Sequence, residues 1–281
     1  MEKSLICSAR DVGIWPASRL TPMKIPRMLM MLCALLCVPL AAKQTPAKGK
    51  AGQSKLPPEF QYDTPPHPLK VVKPVYPYGL LHDGIKGSAK AIFVINDLGK
   101  VVEVKIVQTT RPEFGAALEA AIQRLTFDPA LKGEMPTMTL SQMEQEFVPS
   151  SPHGRAPGLL EVEDMDLLER ELKKPESIVG ASKLDSPLKP VSREAPVFPL
   201  ALQNKAETGE ALLEVIIDQE GKVRLPRVVS ASEPAFGYAA VQAVVAWRFE
   251  PPKSGGKKTA TAVRIPFKFQ GHKHATAPAS S

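Results

Sequence analysis

The residues that could do chemistry are scattered along this chain and do not form a recognisable site. The acidic stretch 158–174 carries carboxylates such as Glu161 and Glu163. General acid–base catalysis would require these carboxylates to face a pocket. His272 and His274 lie in a Gly/Lys/Ala/Pro-rich tail, where two histidines seldom form a metal site. No Ser/His/Asp or Cys/His arrangement recurs, and no glycine-rich phosphate loop precedes a helix. We therefore expect no enzyme, no metal and no cofactor.

The composition is that of a globular protein with extended linkers. Of 281 residues, 43% are hydrophobic and 23% are charged, and 29 prolines exceed 18 glycines. Three cysteines, of which Cys33 and Cys37 lie in an apolar run, exclude a disulfide framework and a cysteine zinc site. The net charge of +7 is mild and no stacking aromatic residues interleave the lysines, so we expect no nucleic-acid partner.

The N-terminus carries an export pattern. Residues 1–22 show charges and no periodicity, and we interpret them as a non-structural extension ahead of the true start. Within 23–42, basic residues precede an apolar run that ends in Ala41-Ala42, as in a secretory signal. The apolar run is shorter than the ~20 residues of a membrane-spanning helix, which favours a cleaved signal peptide over a short membrane anchor.

The body of the chain is an internal repeat with a constant offset of 122 residues. Pro74-Val75-Tyr76-Pro77 recurs as Pro196-Val197-Phe198-Pro199 without a gap before the later anchors. Those further anchor pairs are Gly87 and Gly209, Gly99 and Gly221, Phe127 and Phe249, Pro129 and Pro251, and Phe147 and Phe269. Because the register persists, residues 68–150 and 186–271 are two copies of one module, called module 1 and module 2.

The periodicity within each module predicts an α+β fold. In module 1, alternation predicts strands over 88–95 and 101–108, and Thr110 is expected to cap an amphipathic helix. A third alternating run closes each module, 137–148 in module 1 and 259–270 in module 2. Each copy is therefore predicted to be a small three-stranded antiparallel sheet with one main packed helix, and each sheet has two exposed edges.

Three segments lie outside the modules. Residues 43–67 are rich in lysine and proline and are interpreted as a linker. Residues 151–185 form a second linker, whose acidic part predicts an amphipathic helix that is either a spacer packed on a module or a partner-binding helix. Residues 272–281 are expected to form a disordered tail.

Taken together, these residues resemble the C-terminal domain of TonB. The resemblance is carried by an aromatic-Pro pair, a glycine ten residues later, an Asp/Asn-x-x-Gly-Lys-Val turn, a Phe-led helix and an aromatic-x-Pro exit. The motif positions are Tyr76, Pro77, Gly87 and Gly99 in module 1, and Phe198, Pro199, Gly209, Gly221, Trp247, Phe249 and Pro251 in module 2. Module 1 departs from the pattern at Leu125, which replaces the tryptophan, and in its polar third strand.

The resemblance implies an exported protein of the bacterial envelope, in the periplasm or anchored in the inner membrane and facing the periplasm. In TonB-like proteins a partner peptide adds as a strand to an edge of the domain. The matching positions here form the third-strand edge of module 2, namely Ala262, Val263, Arg264, Ile265, Phe267 and Phe269. The implied partners are outer-membrane TonB-dependent transporters, and the implied role is support of energy-coupled transport.

An alternative reading comes from a different class of protein. In it the chain is a soluble periplasmic structural or adaptor protein whose modules pair with each other and contact no transporter. Self-association is also left open by the exposed sheet edges.

Overall fold

The computed structural model describes residues 56–149 and 160–271. The predicted extension 1–22, the export segment 23–42, most of the linker 43–67 and the tail 272–281 lie outside the described residues. Within the two described ranges, no helix is long and apolar enough to cross a bilayer.

Module 1 is a three-stranded antiparallel sheet with one main helix on its inner face. Its elements are β1 (His67–Lys70), α1 (Tyr78–His82), β2 (Gly87–Ile95), β3 (Val101–Thr109), α2 (Pro112–Ile122), β4 (Thr126–Asp128), β5 (Ala130–Lys132), β6 (Met135–Thr137) and β7 (Thr139–Phe147). The central sheet has the order β3-β2-β7, and α2 packs on β2 and β3. The predicted α+β class is therefore confirmed in this module.

Module 2 repeats this order after a linker helix, except that a 3₁₀ helix over Leu200–Leu202 stands in place of α1. The linker holds α3 (Val162–Lys173) and β8 (Ile178–Gly180), and module 2 holds β9 (Pro190–Ser192), β10 (Thr208–Ile217), β11 (Val223–Ala231), α4 (Pro234–Val244), β12 (Arg248–Phe249), β13 (Lys253–Ser254), β14 (Lys257–Lys258) and β15 (Ala260–Gln270). The sheet order is β11-β10-β15-β8, in which β8 is parallel to β15. This fourth strand was not predicted, because a three-residue strand is too short to show periodicity.

An aromatic trio forms the centre of each module. In module 1 the ring of Tyr76 makes edge contacts with Phe114 and Phe147 at 5.7 Å between ring centres. In module 2 the equivalent rings are Phe198, Phe236 and Phe269. A Cβ at Gly87 or Gly209 would overlap the ring of Phe114 or Phe236, which explains the glycine in the motif.

The hairpin turn between the first two strands is also the same in both copies. Asn96 Oδ1 accepts hydrogen bonds from the amides of Leu98 and Lys100, and Asp218 Oδ1 accepts the equivalent pair from Glu220 and Lys222. The glycine that follows has a φ of 71° in module 1 and 82° in module 2, which glycine adopts without strain.

The predicted helix cap at Thr110 is wrong. Helix α2 begins at Pro112 with Arg111 at the N-cap and no side-chain capping bond. Thr110 Oγ1 instead accepts a hydrogen bond from the amide of Ser88 at 3.0 Å, and Ser232 does the same for Glu210 in module 2. Thr110 lies one residue before the N-cap, so its hydroxyl joins β3 to β2 instead of capping the helix.

A segment at or just before the start of each module, called its strap, lies over a β-hairpin, which is β5–β6 in module 1 and β13–β14 in module 2. The straps are 56–66 for module 1 and 178–188 for module 2. The amide of Asp63 bonds to Leu131 O and its carboxylate accepts from Gly133 N, both at 2.7 Å. Asp185 makes the equivalent bonds, to Lys253 O at 2.9 Å and from Gly255 N at 2.7 Å. The offset of 122 residues therefore continues upstream of residue 68.

Candidate functional site

Backbone groups along β15 face alternately toward β10 and away from it. Glu210 O accepts a hydrogen bond from Ser232 N, so the backbone N–H and C=O groups of the even-numbered residues of β10 point toward β11. Leu212 lies opposite Pro266 in an unbroken antiparallel register. The backbone N–H and C=O groups of the even-numbered residues of β15 therefore point away from β10, toward the edge of the sheet. Pro266, which lacks an amide hydrogen, sits where it costs the sheet no hydrogen bond.

The edge of β15 is covered at its start and open beyond it. Strand β8 pairs with Ala260, Thr261 and Ala262, and the Thr261 hydroxyl donates to Val179 O at 2.8 Å. Among the described residues, no strand pairs with β15 on this side beyond Ala262. The prediction of two exposed edges therefore needs correction in module 2, because the linker covers the first part of one edge. Arg264, Lys268 and Gln270 carry the outward amides of the open part.

A groove runs beside this open edge. It has a volume of about 810 Å³ and lies between the strap of module 2 and residues 262–266. We call it the edge groove; its lining includes Leu184, Leu188, Arg193, Trp247, Phe249 and Ile265. The Trp247 indole donates to Glu194 O at 2.8 Å, and the Arg193 guanidinium lies 5.2 Å from the centre of its ring. These contacts fix an aromatic wall beside free backbone groups.

The six residues predicted at this edge differ in what they expose. Phe267 and Phe269 are 5% and 4% exposed, so their side chains belong to the core. Val263 and Ile265 are half-buried against the same core, and Ala262 is partly covered by β8. Arg264 is exposed and forms an ion pair with Glu214 at 2.9 Å. A partner strand would thus meet backbone groups and the sides of Val263 and Ile265.

The third strand of module 1 has a longer open edge with a different charge. Thr110 N bonds to Ser88 O, so the same alternation argument applies to β2 and its partner β7. The outward amides of β7 belong to Leu140, Gln142, Glu144 and Glu146, and among the described residues no strand pairs with this side. Each of these four residues can donate a backbone hydrogen bond, and the two that carry a charge, Glu144 and Glu146, are acidic.

The two modules pack against each other through their main helices rather than through these edges. Gln242 on α4 donates to Lys73 O at 2.8 Å and accepts from Val75 N at 3.2 Å. In the other direction, Arg124 after α2 donates to Ala195 O at 3.4 Å. Ala195 is equivalent to Lys73, whereas Arg124 is equivalent to Ala246 and not to Gln242, so each module bonds the same backbone position of the other through a different donor. In the described residues β7 and β15 do not pair with each other.

Helix α3 fastens the linker to both modules. Leu167 and Leu168 are buried in the same apolar cluster as Ile216 and Leu225. Glu171 accepts hydrogen bonds from Tyr78 of module 1 at 2.9 Å and from Arg227 of module 2 at 3.0 Å. Of the two predictions for this helix, the packed spacer therefore describes its position.

A buried arginine anchors the start of α3. Arg224 donates to Asp218 at 2.9 Å and to Glu161 at 2.7 Å, and it lies 3.4 Å from Asp164. Burial alone would lower the pKa of Arg224, but the hydrogen bonds to Asp218 and Glu161 raise it above its ordinary value. Burial raises the pKa of Asp164, against the hydrogen bond from Glu161 and the charge of Arg224. The cluster is a structural clamp.

Sequence reasoning missed Arg224, Gln242 and the strap. One signal was present, since Gln242 is a polar residue within the apolar run of α4 and is 3% exposed. Arg224 replaces the Val102 of module 1 on a strand that is otherwise apolar at this end. In the described part of the chain, no three His, Cys, Asp or Glu residues cluster in a way that could hold a metal ion.

Comparison with known proteins shows which family this chain resembles. A family model for the Gram-negative bacterial TonB protein C-terminal matches residues 72–149 and 194–270. The solution NMR structure of the Pseudomonas aeruginosa TonB CTD is 28% identical over 32% of this chain and 90% of that chain, with a TM-score of 0.26. No curated protein matches the chain.

Proposed function

The chain belongs to the TonB C-terminal family, whose model matches both modules, and we propose that it binds protein partners by adding their extended segments to the edge of β15. Proteins of this family belong to the bacterial envelope, and their C-terminal domains bind protein partners. The observation that carries the proposal is an open row of outward backbone groups beside the edge groove. Strand addition uses such a row for affinity and the adjoining groove for specificity.

The finer proposal concerns transport. The partners are outer-membrane TonB-dependent transporters, and the chain supports energy-coupled transport from the periplasmic side. It is exported through residues 23–42, which act as a signal peptide or as a short anchor in the inner membrane. A retained anchor would allow a motor to pull on the modules, whereas cleavage would make the chain a periplasmic binder.

A second candidate function is that of a periplasmic adaptor that contacts no transporter. It is favoured by the bonds of Gln242 and Arg124, which hold the modules together as one unit. In this case the paired modules are the functional surface, and the edge of β15 remains unused.

Titration calorimetry distinguishes these functions. The probes are extended periplasmic peptides of the outer-membrane transporters of the same bacterium, added to the full chain. Lys268→Pro removes one outward amide at a position type that already tolerates Pro266, so we expect at least about tenfold weaker binding with the fold intact. Lys268→Ala keeps the amide and serves as the control, with a change of less than about threefold.

Two results would contradict strand addition at this edge. Equal binding by the proline variant and the wild type would exclude the backbone row as the binding element. If none of the transporter peptides binds the wild type, the transport role fails and the adaptor becomes the leading function.

A further inference from the structure

A second groove lies between the modules, away from the edge of β15. It has a volume of about 690 Å³ and is formed by α1 and the start of α2 on one side and by β11 and α4 on the other. We call it the intermodule groove. Its lining is mostly apolar and includes Val75, Pro77, Leu80, Val228 and Val241. Ligand sites commonly combine such a lining with a few convergent polar groups.

The walls of the intermodule groove are held in place before any ligand arrives. Gln242 on α4 bonds to both Lys73 O and Val75 N, which fixes the chain leading into α1 against module 2. Tyr78 is fixed by its hydroxyl, which donates to Glu171 at 2.9 Å. A preformed groove loses less free energy when it binds a ligand than a groove that must first be assembled.

One carboxylate oxygen in this groove has no hydrogen-bond partner among the described residues. It is the buried Oε2 atom of Glu113, in the first turn of α2. It is the only buried side-chain polar atom of the described chain in this condition. Buried polar groups are almost always satisfied, and a carboxylate is especially costly to leave without a cation or donor.

Neighbouring groups do not neutralise this carboxylate. Arg227 also lines the groove, but its guanidinium is bound to Glu171 and Glu214 and lies over the ring of Tyr78. Asp83, a second carboxylate, lines the same groove. The groove is therefore short of positive charge.

Tyr238 supplies an aromatic surface and a hydroxyl to the same groove. Burial, and then the negative charge of Glu113, raise the pKa of Tyr238 to about 12, so its hydroxyl stays protonated at ordinary pH. No described residue bonds to this hydroxyl. A protonated phenol next to a carboxylate offers both a donor and a ring face that attracts cations.

The repeat shows that this polar group is not part of the common framework. At the offset of 122 residues, Glu113 corresponds to Ala235, Tyr238 to Ala116 and Tyr78 to Leu200. The fold is thus built with small or apolar residues at the same three positions. Polar and aromatic residues are gathered at only one of the two related places, as expected for a binding site rather than for a requirement of the fold.

We propose that the intermodule groove binds a small organic ammonium compound with an apolar body, with the ammonium group on Glu113 and the apolar part along Val75, Leu80 and Val241. The ammonium supplies the missing charge and donors to the carboxylate, and Tyr238 contacts the cation with its ring. This site is independent of strand addition at β15.

The test compares two compounds of matched shape and opposite charge. 2-Phenylethylammonium and 3-phenylpropanoate are titrated into the full chain, with binding followed by ligand-observed NMR. We expect the ammonium compound to bind and the carboxylate to bind at least about tenfold more weakly. Equal binding of the two compounds, or no binding of the ammonium compound at about 10 mM, would overturn the proposal.

Variants then locate the site. Glu113→Gln keeps the shape of the side chain and should weaken ammonium binding at least about tenfold, whereas Glu103→Gln, on the exposed part of β3, should change it less than about twofold. An unchanged thermal unfolding midpoint of Glu113→Gln would show that the loss of binding is not a loss of the fold. Unchanged binding by Glu113→Gln would refute the proposed site.

Discussion

The two third strands occupy equivalent places in the repeat and present different edges. In module 1 the outward amides of β7 form an uninterrupted row beside Glu144 and Glu146. In module 2 the row on β15 is covered at Ala262, interrupted at Pro266 and flanked by Arg264 and Lys268. The same fold therefore offers one open acidic edge and one restricted basic edge beside the edge groove. Hydrogen-bonding capacity alone would favour module 1 as the site of strand addition. The edge groove with Trp247 favours module 2.

The straps explain part of this difference. The segment Ile178-Val179-Gly180 pairs with the start of β15. At the offset of 122 residues, module 1 has Leu56-Pro57-Pro58, whose two prolines have no amide hydrogen to donate. In the described residues no strand pairs with the outer side of the start of β7, and its strap bonds there only through the Thr139 hydroxyl, which donates to Phe60 O at 3.1 Å. A few residues upstream of each module thus decide how much of its edge is open.

The largest effect on stability is expected at the turn glycines that the two modules share. A Cβ at Gly99 or Gly221 would overlap the carbonyl oxygen of Phe127 or Phe249, and both glycines have positive φ. We expect Gly99→Ala and Gly221→Ala each to lower the free energy of unfolding by more than about 3 kcal/mol, measured by urea denaturation. If only one of the two substitutions is destabilising, the shared framework of the modules is refuted.

The next largest effect on stability is expected at Arg224, where the two modules differ. Arg224→Val gives β11 the residue that β3 has at Val102, and it leaves Asp218 without its buried partner. We expect a loss of about 3 kcal/mol in the free energy of unfolding. Arg264→Val, at an exposed ion pair, is the control and should cost less than about 1 kcal/mol. Equal costs for the two variants would mean that the Arg224 clamp is not the anchor of α3.

A smaller effect is expected at the strap. Val179→Pro imitates the proline-containing strap of module 1 and should detach β8 from Thr261, at a cost of about 1 kcal/mol. Exchange of the Ala262 amide, followed by NMR, should become faster, because that amide faces β8. Unchanged exchange would show that the strap does not control the edge.

The smallest effect depends on pH. The pKa of Glu194 is lowered chiefly by the hydrogen bond from Lys70, with burial opposing and the charge of Arg124 adding to the effect. A lowered pKa stabilises the fold above the ordinary value of 4.5, and this contribution is lost as the pH falls through the folded-state pKa. Glu194→Gln should therefore show a shallower loss of stability between roughly pH 5 and pH 3 than the wild type. Parallel curves would contradict a role for Glu194 in joining the modules.

The sequence predicted the repeated framework because its signals are local. Alternation gave β2 and β10, and the motif positions Gly99 and Gly221 marked turns that only glycine fits without strain. Pro266 is likewise a local signal, since its missing amide hydrogen restricts it to an edge strand, and the register places it there.

The remainder could not be predicted because it depends on contacts between distant segments. Strand β8 exists only because three linker residues meet β15, and Glu113 lines a groove only because residues of module 2 lie opposite the start of α2. Periodicity carries no information about either contact. The sequence likewise indicated which strand matches the family's docking edge, but not that the strap covers its first residues.

Amide hydrogen exchange of the full chain, measured by NMR with and without a transporter peptide, tests the central claim most directly. Strand addition to β15 predicts that the peptide protects the outward amides of Arg264 and Lys268, while Phe267, which already faces β10, changes little. Protection confined to Gln142 and Glu144 on β7, or no new protection on β15 when the peptide is bound, would contradict it.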